Sequence, residues 1–136
     1  MTAGGAHCLT VTIDVSPGEL IDKITILEIK AERLTDPEKR RIVLYELALL
    51  EAKRAQLVPA HDAVVKATQQ LRDVNAALWD IEDQIRDCER AQDFGDRFVA
   101  LARAVYRTND RRAALKRQVN DLLGSAINEV KAYAPY

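Results

Sequence analysis

The chain has 136 residues, 48% hydrophobic and 30% charged, and twenty basic residues nearly balance twenty-one acidic ones to leave a formal net charge of −1. That composition fits one soluble domain with a modest core, and neither sign gathers into a run that would point to nucleic acid or an anionic membrane surface. Cys8 and Cys88 lie far apart, the opening residues have no signal-like leader, and no stretch of about eighteen apolar residues occurs, so the expectation is a cytoplasmic protein with no membrane span, cofactor or metal.

Leu9, Val11, Ile13 and Val15 alternate with Thr10, Thr12 and Asp14, which predicts a short strand over residues 9–15. A lone strand lies in water, pairs with a loop, or pairs with its copy in a second subunit, and the last of these predicts a homodimer. Ser16-Pro17-Gly18-Glu19 opens a first helix over 17–34, with a hydroxyl at the N-cap, proline at the first helical position and a carboxylate placed to close a capping box. Its apolar stripe is Leu20, Ile24, Leu27, Ala31 and Leu34, widened by Ile21, with Ile26 and Ile29 as a second patch. Glu28 projects between Ile24 and Ile21 with Thr25 beside it, and a carboxylate there needs a partner.

Asp36-Pro37 repeats the cap-then-proline signal and starts a second helix over 37–57, which Pro59 interrupts. From Ile42 to Leu50 only Glu46 breaks an apolar run. A helix apolar all round is buried on every side or lies in an oligomer interface, and in so small a chain the interface is favoured.

The third and fourth helices, over 62–90 and 96–130, carry seams that mirror each other about residue 93. Val64, Ala67, Leu71, Val74, Leu78, Ile81, Ile85 and Cys88 approach it, and Phe98, Leu101, Val105, Thr108, Arg112, Leu115, Val119 and Leu122 leave it. The fold class is therefore all-α, built on a long antiparallel coiled-coil-like hairpin that turns at residues 93–95, with Gly95 relaxing the turn and Asp96 free to cap the fourth helix. Each long helix measures on the order of 45 to 50 Å. Thr108 and Arg112 interrupt the seam where Leu or Val belongs. Ala132-Tyr133-Ala134-Pro135-Tyr136 carries no readable pattern.

One register along from its seam the fourth helix presents Val99, Ala102, Tyr106, Asn109, Ala113, Lys116, Asn120, Leu123 and Ile127, apolar at both ends and polar in the middle. The third helix has a comparable flank of Asn75, Trp79, Glu82 and Arg86. If the first helix lies along this side, Glu28 joins them, with Asp22 and Lys23. The candidate ligand-binding residues are thus Glu28, Trp79, Glu82, Arg86, Tyr106, Asn109, Arg112 and Lys116, a set suited to a small anionic molecule. The plainer alternative is structural. Asn75, Asn109, Asn120 and Thr108 then fix the helix register, Trp79 anchors the core, Arg112 and Lys116 lay their stems on apolar surface, and Glu28 is matched by Lys116 or Arg112. Asp80, Asp83 and Asp87 read as a solvated face.

No phosphate loop, metal-spaced His and Cys set or nucleophile elbow is present, and His7 and His61 fall outside the helices, so no catalytic residues are identified. Glu19-x-x-Asp22 is similar to half of the paired acidic motif of all-helical nucleotide pyrophosphohydrolases, and the second half is missing.

The blocks SPGELIDKITILEIK from Ser16, LWDIEDQIR from Leu78 and FVALARAVYRTNDRRAALKR from Phe98 resemble a bacterial family of small helical domains of unknown function, over residues from about 12 to 134. The resemblance implies a setting among glycosyltransferases and other surface-polysaccharide proteins, and it brings no catalytic residues. Two function classes follow. The favoured one is a non-enzymatic binding or assembly module, homodimeric, whose polar zone holds an anionic metabolite or a partner segment. The alternative is a small helical enzyme with chorismate-mutase-like architecture, in which Lys23, Lys30, Arg103, Lys116 and Glu28 act on an anionic substrate by electrostatics.

Overall fold

A computed structural model describes residues 8–136, so His7 lies outside the described residues. The fold is all-α: α1 (Pro17–Arg33), α2 (Pro37–Leu57), α3 (Asp62–Arg90) and α4 (Asp96–Leu123). Among the described residues no strand forms. The expected strand over 9–15 is corrected accordingly: Leu9, Val11 and Ile13 stand in solvent. Alternation supplies the side-chain pattern of a strand, but a ladder also needs a neighbouring strand, and four helices provide none.

α1, α2 and α3 each begin where a side chain satisfies one or two of the first amides. The Ser16 hydroxyl accepts from the Glu19 amide at 3.1 Å. The Asp36 carboxylate accepts from the amides of Glu38 at 2.9 Å and Lys39 at 3.4 Å. His61, which sequence left in a loop, caps α3 by accepting the Ala63 amide on Nδ1 at 3.1 Å. At the other end α4 stops at Leu123 instead of running to residue 130. Gly124 takes the left-handed conformation at φ 67, and the Ser125 amide returns to the Asn120 carbonyl at 2.9 Å. This Schellman-type ending satisfies the last carbonyls of the helix and releases Ile127 from the stripe assigned to it.

The hairpin turn differs in detail from expectation. The left-handed residue is Gln92 at φ 54, whereas Gly95 has an ordinary φ of −82 and serves as the N-cap of α4. Asp96 is the first residue of α4 and does not cap it; no side chain does, and the turn's own side-chain bond comes from Asp93, which accepts the Gly95 amide on Oδ1 at 3.1 Å.

Ile21, Val64, Ala67, Leu71, Val74, Leu115 and Val119 form one core cluster, which gathers α3 and α4 seam residues paired by the mirror about residue 93. A second cluster joins Ile24 and Leu27 of α1 to Leu47 of α2. α1 is thus the hub. It packs against α2, α3 and α4, whereas α2 packs against α1 alone. Beyond this core the seam thins, with Leu78, Ile81, Ile85, Leu101 and Val105 only half-buried, until Cys88 is buried again beside the turn.

Candidate functional site

Gly18, Asp22, Thr25 and Ile29 fall on one buried face of α1 at helical spacing. Gly18 sets how closely α4 approaches: a Cβ there would lie 2.4 Å from the Lys116 carbonyl oxygen and 2.7 Å from Asn120 Oδ1. Its amide, one of the orphan donors of the first turn, donates to that same Asn120 Oδ1 at 2.7 Å.

One turn on, Asp22 is 1% exposed and fully engaged. Arg112 clamps it from both prongs of its guanidinium, Nε to Oδ1 at 2.9 Å and Nη2 to Oδ2 at 2.5 Å. Asn75 Nδ2 donates to Asp22 Oδ1 at 2.9 Å and to Thr25 Oγ1 at 2.9 Å, and the Thr25 hydroxyl donates to the Asp22 backbone carbonyl at 2.7 Å. The Asp22 carboxylate holds the Arg112 pKa above its usual value against the opposing effect of burial. Among the described residues no buried side-chain nitrogen or oxygen lacks a partner.

Lys116, 7% exposed, lies between two acids, with Nζ 3.2 Å from Glu19 Oε2 and 3.0 Å from Glu129 Oε2. Burial pushes the ammonium pKa down, and Glu129 and Glu19 more than offset it, so the net shift is upward. Glu129 belongs to the segment after Gly124, which turns back along α4. There Lys131 Nζ meets Asp110 Oδ1 at 2.5 Å and the Tyr136 ring sits 5.1 Å from that of Tyr106. Between this segment and α4 lies a cavity of about 580 Å³ lined by Asn109, Arg112, Lys116 and residues 129–133. A smaller hollow of about 270 Å³ adjoins it beside Ser16, Glu19 and Asn120.

Of the residues predicted from sequence, Asn109, Arg112 and Lys116 line one cavity, and Tyr106 marks one end of the segment that covers it. The others are elsewhere. Glu28 faces Arg72 of α3 at 3.6 Å, because from Asp22 to Glu28 the helix turns through roughly 240° and looks away from α4. The expected match of Glu28 with Lys116 or Arg112 is therefore corrected to Glu19 with Lys116 and Asp22 with Arg112. Trp79 stacks with the Arg33 guanidinium, 5.7 Å from ring centroid to carbon. Glu82 and Arg86 form an exposed pair at 3.6 Å along α3, and Lys23 pairs with Glu46 of α2 at 2.8 Å. Asp80 meets Arg33 at 2.6 Å and Asp87 meets Arg90, both at the surface. No group of three or more His, Cys, Asp or Glu spaced to hold a metal occurs among the described residues.

Sequence reasoning undervalued Asp22 and missed Glu19, Asp110, Glu129 and Lys131 as members of the site. The stripe of Gly18, Asp22, Thr25 and Ile29 was a readable signal for the first, since it buries an acid on a second α1 face. No periodicity announces the residues that lie after Gly124.

The arrangement matches Arg112, Lys116 and Lys131 with Asp22, Glu19 and Glu129, and Asp110. Its chemistry is that of a satisfied ionic layer beside an open groove. The sequence pattern of a family of unknown function (DUF6165) matches residues 11–135. No curated protein and no solved structure matches the chain. No helix among the described residues is long and apolar enough to cross a membrane.

Proposed function

The chain belongs to the DUF6165 family of unknown function, and from the geometry we propose that it is a non-enzymatic assembly module that pairs with a second copy of itself through α2. The observation that carries this is the outer face of α2. The helix touches only α1, with Val43, Leu47 and Leu50 directed inward, and leaves Ile42 55%, Tyr45 69% and Leu49 51% exposed. Scattered apolar side chains on a surface need no explanation, but these are not scattered. Ile42, Tyr45, Leu49 and Ala52 follow steps of three and four, the spacing of a helix–helix seam.

The seam is also self-complementary. Its positions are symmetric about Leu47, so an antiparallel copy sets Ile42 opposite Ala52 and Tyr45 opposite Leu49 on both sides of a twofold axis. Ala48 and Ala52 let the helices approach closely. Each Ile or Leu taken from water is worth about 1.5–3 kcal/mol before the cost of association.

A small anionic ligand is not part of this proposal, because Asp22, Glu19 and Glu129 already match the cations that would bind it. Nor is electrostatic catalysis, which needs unmatched charge aimed at a reacting group. The setting proposed with it is the one the resemblance implies: a bacterial cell, beside glycosyltransferases and other surface-polysaccharide proteins.

Disulfide trapping tests the register. In a Cys8→Ser background, Ile42→Cys and Ala52→Cys chains mixed together should form a crosslinked dimer, while neither alone does, since antiparallel helices hold identical positions about 15 Å apart along the axis. Crosslinking of Ile42→Cys with itself, or of no combination, would exclude the antiparallel α2 pair.

A further inference from the structure

The segment after α4 is bound as a peptide would be. Read along the chain, it offers an acid, Glu129, a base, Lys131, and an aromatic ring, Tyr136. Read backward, α4 offers the complement: Lys116 at 3.0 Å from Glu129, Asp110 at 2.5 Å from Lys131, and Tyr106 in edge contact with Tyr136. Charge and aromatic contacts alternate in register over about 15 Å of helix.

We propose that this side of α4 is a docking groove for an extended peptide carrying an acid, a base two residues on and an aromatic five residues beyond that, and that the chain's own residues 126–136 are a displaceable occupant. The occupant is loosely held. Every residue from Ala126 to Tyr136 is exposed, and none belongs to either hydrophobic cluster. Of its two ion pairs, Lys131–Asp110 lies between exposed groups and is weak and screened by salt, and Glu129 shares the buried Lys116 with Glu19. The segment also has slack, since seven residues reach up to roughly 23 Å when extended. That slack leaves the cavity of about 580 Å³ beneath it.

The groove does not depend on its occupant. When Glu129 leaves, Glu19 still holds Lys116 at 3.2 Å, and Asp22 still clamps Arg112. Donors also remain unspent. Arg112 and Asn109 both line the cavity; Arg112 uses Nε and Nη2 on Asp22, and neither its Nη1 nor the Asn109 side-chain amide makes a hydrogen bond among the described residues. A segment supplied by another molecule has those donors to gain, and the resident segment does not use them. The groove does not involve α2, so docking and self-pairing stand or fall separately.

The test uses full-length chains and a labelled synthetic peptide of residues 126–136. Reversing the resident charges, Glu129→Lys with Lys131→Glu, sets a second ammonium against Lys116 and a second carboxylate against Asp110 and opens the groove. By fluorescence anisotropy at low salt, this variant should bind the natural peptide at least tenfold more tightly than the unmodified chain does. A peptide carrying the same two reversals should bind neither chain. Equal affinity of the natural peptide for both chains, or equal binding of the reversed peptide, overturns the proposal. A second measurement needs no variant: excess natural peptide should speed hydrogen exchange of amides 126–136 in the unmodified chain while α3 and α4 stay protected. Unchanged exchange there counts against displacement.

Discussion

Asp22 on α1 and Leu49 on α2 each sit in an environment foreign to their chemistry: the carboxylate is 1% exposed and the leucine 51%. What differs is compensation. Asp22 is met by both prongs of Arg112 and by Asn75, so its burial leaves nothing unpaired. Leu49 stays half-exposed, because α2 packs against α1 alone and Leu49 is outside the cluster that joins them. The polar layer is closed within one chain and the apolar surface is open. In this molecule the charged cluster that looks most like an active site from sequence is matched within the chain, and the outer apolar face of α2 is not.

The contrast is tested hardest by removing the charge at the centre of the fastening. Asp22→Leu strands Arg112 and Asn75 and should lower the unfolding free energy by about 3–5 kcal/mol, while adding Arg112→Met should recover most of the loss. Urea unfolding of the set gives the answer, and a stable Asp22→Leu single variant would mean the cluster tolerates unmatched charge as a ligand site does. Gly18→Ala comes next. Its new Cβ would meet the backbone oxygen of Lys116 at 2.4 Å, an atom that cannot swing aside, so a loss of about 1–3 kcal/mol is expected in the same assay. On the open side the effect on the fold should be small. Leu49→Glu, measured on the isolated chain, should change stability by no more than about 0.5 kcal/mol, because Leu49 belongs to neither hydrophobic cluster.

The smallest expected effect concerns the segment over α4, and its sign follows from two shifted groups. Asp110 is lowered from its ordinary 3.8, chiefly by Lys131, so its tie is present above that value and lost as pH falls through the lowered one. Lys116 is raised above its ordinary 10.5, so its tie is complete below 10.5 and lost as pH rises through the raised value. Proton NMR contacts between Tyr106 and Tyr136 should therefore persist from roughly pH 4 to pH 10 and fade outside that window. Their loss near neutral pH would show that other groups hold the segment.

Much of the scaffold was legible because helices announce themselves locally. Ser16-Pro17 and Asp36-Pro37 mark starts through capping chemistry that needs no tertiary information, and the mirrored α3 and α4 seams carry the hairpin register in their spacing. Arg112, a charge breaking the seam, pointed to the right layer. Its partner was misread for a geometric reason: Glu28 and Asp22 both lie on α1, and only the orientation of α1 against α4 decides which one Arg112 meets. That orientation depends on Gly18, whose close approach to Lys116 is invisible until the helices are packed. The segment over α4 was illegible for a different reason, since it has no repeating structure and its Glu129 and Lys131 acquire meaning only beside Lys116 and Asp110. The N-terminal alternation misled because it describes one strand, and a sheet requires two.

Self-pairing through α2 is tested most directly by sedimentation equilibrium of the unmodified chain beside Leu49→Glu at tens of micromolar. Pairing through α2 predicts a dimer for the unmodified chain and a folded monomer for Leu49→Glu, with circular dichroism unchanged. An unmodified chain that sediments as a monomer, or a Leu49→Glu chain that still sediments as a dimer, would contradict it.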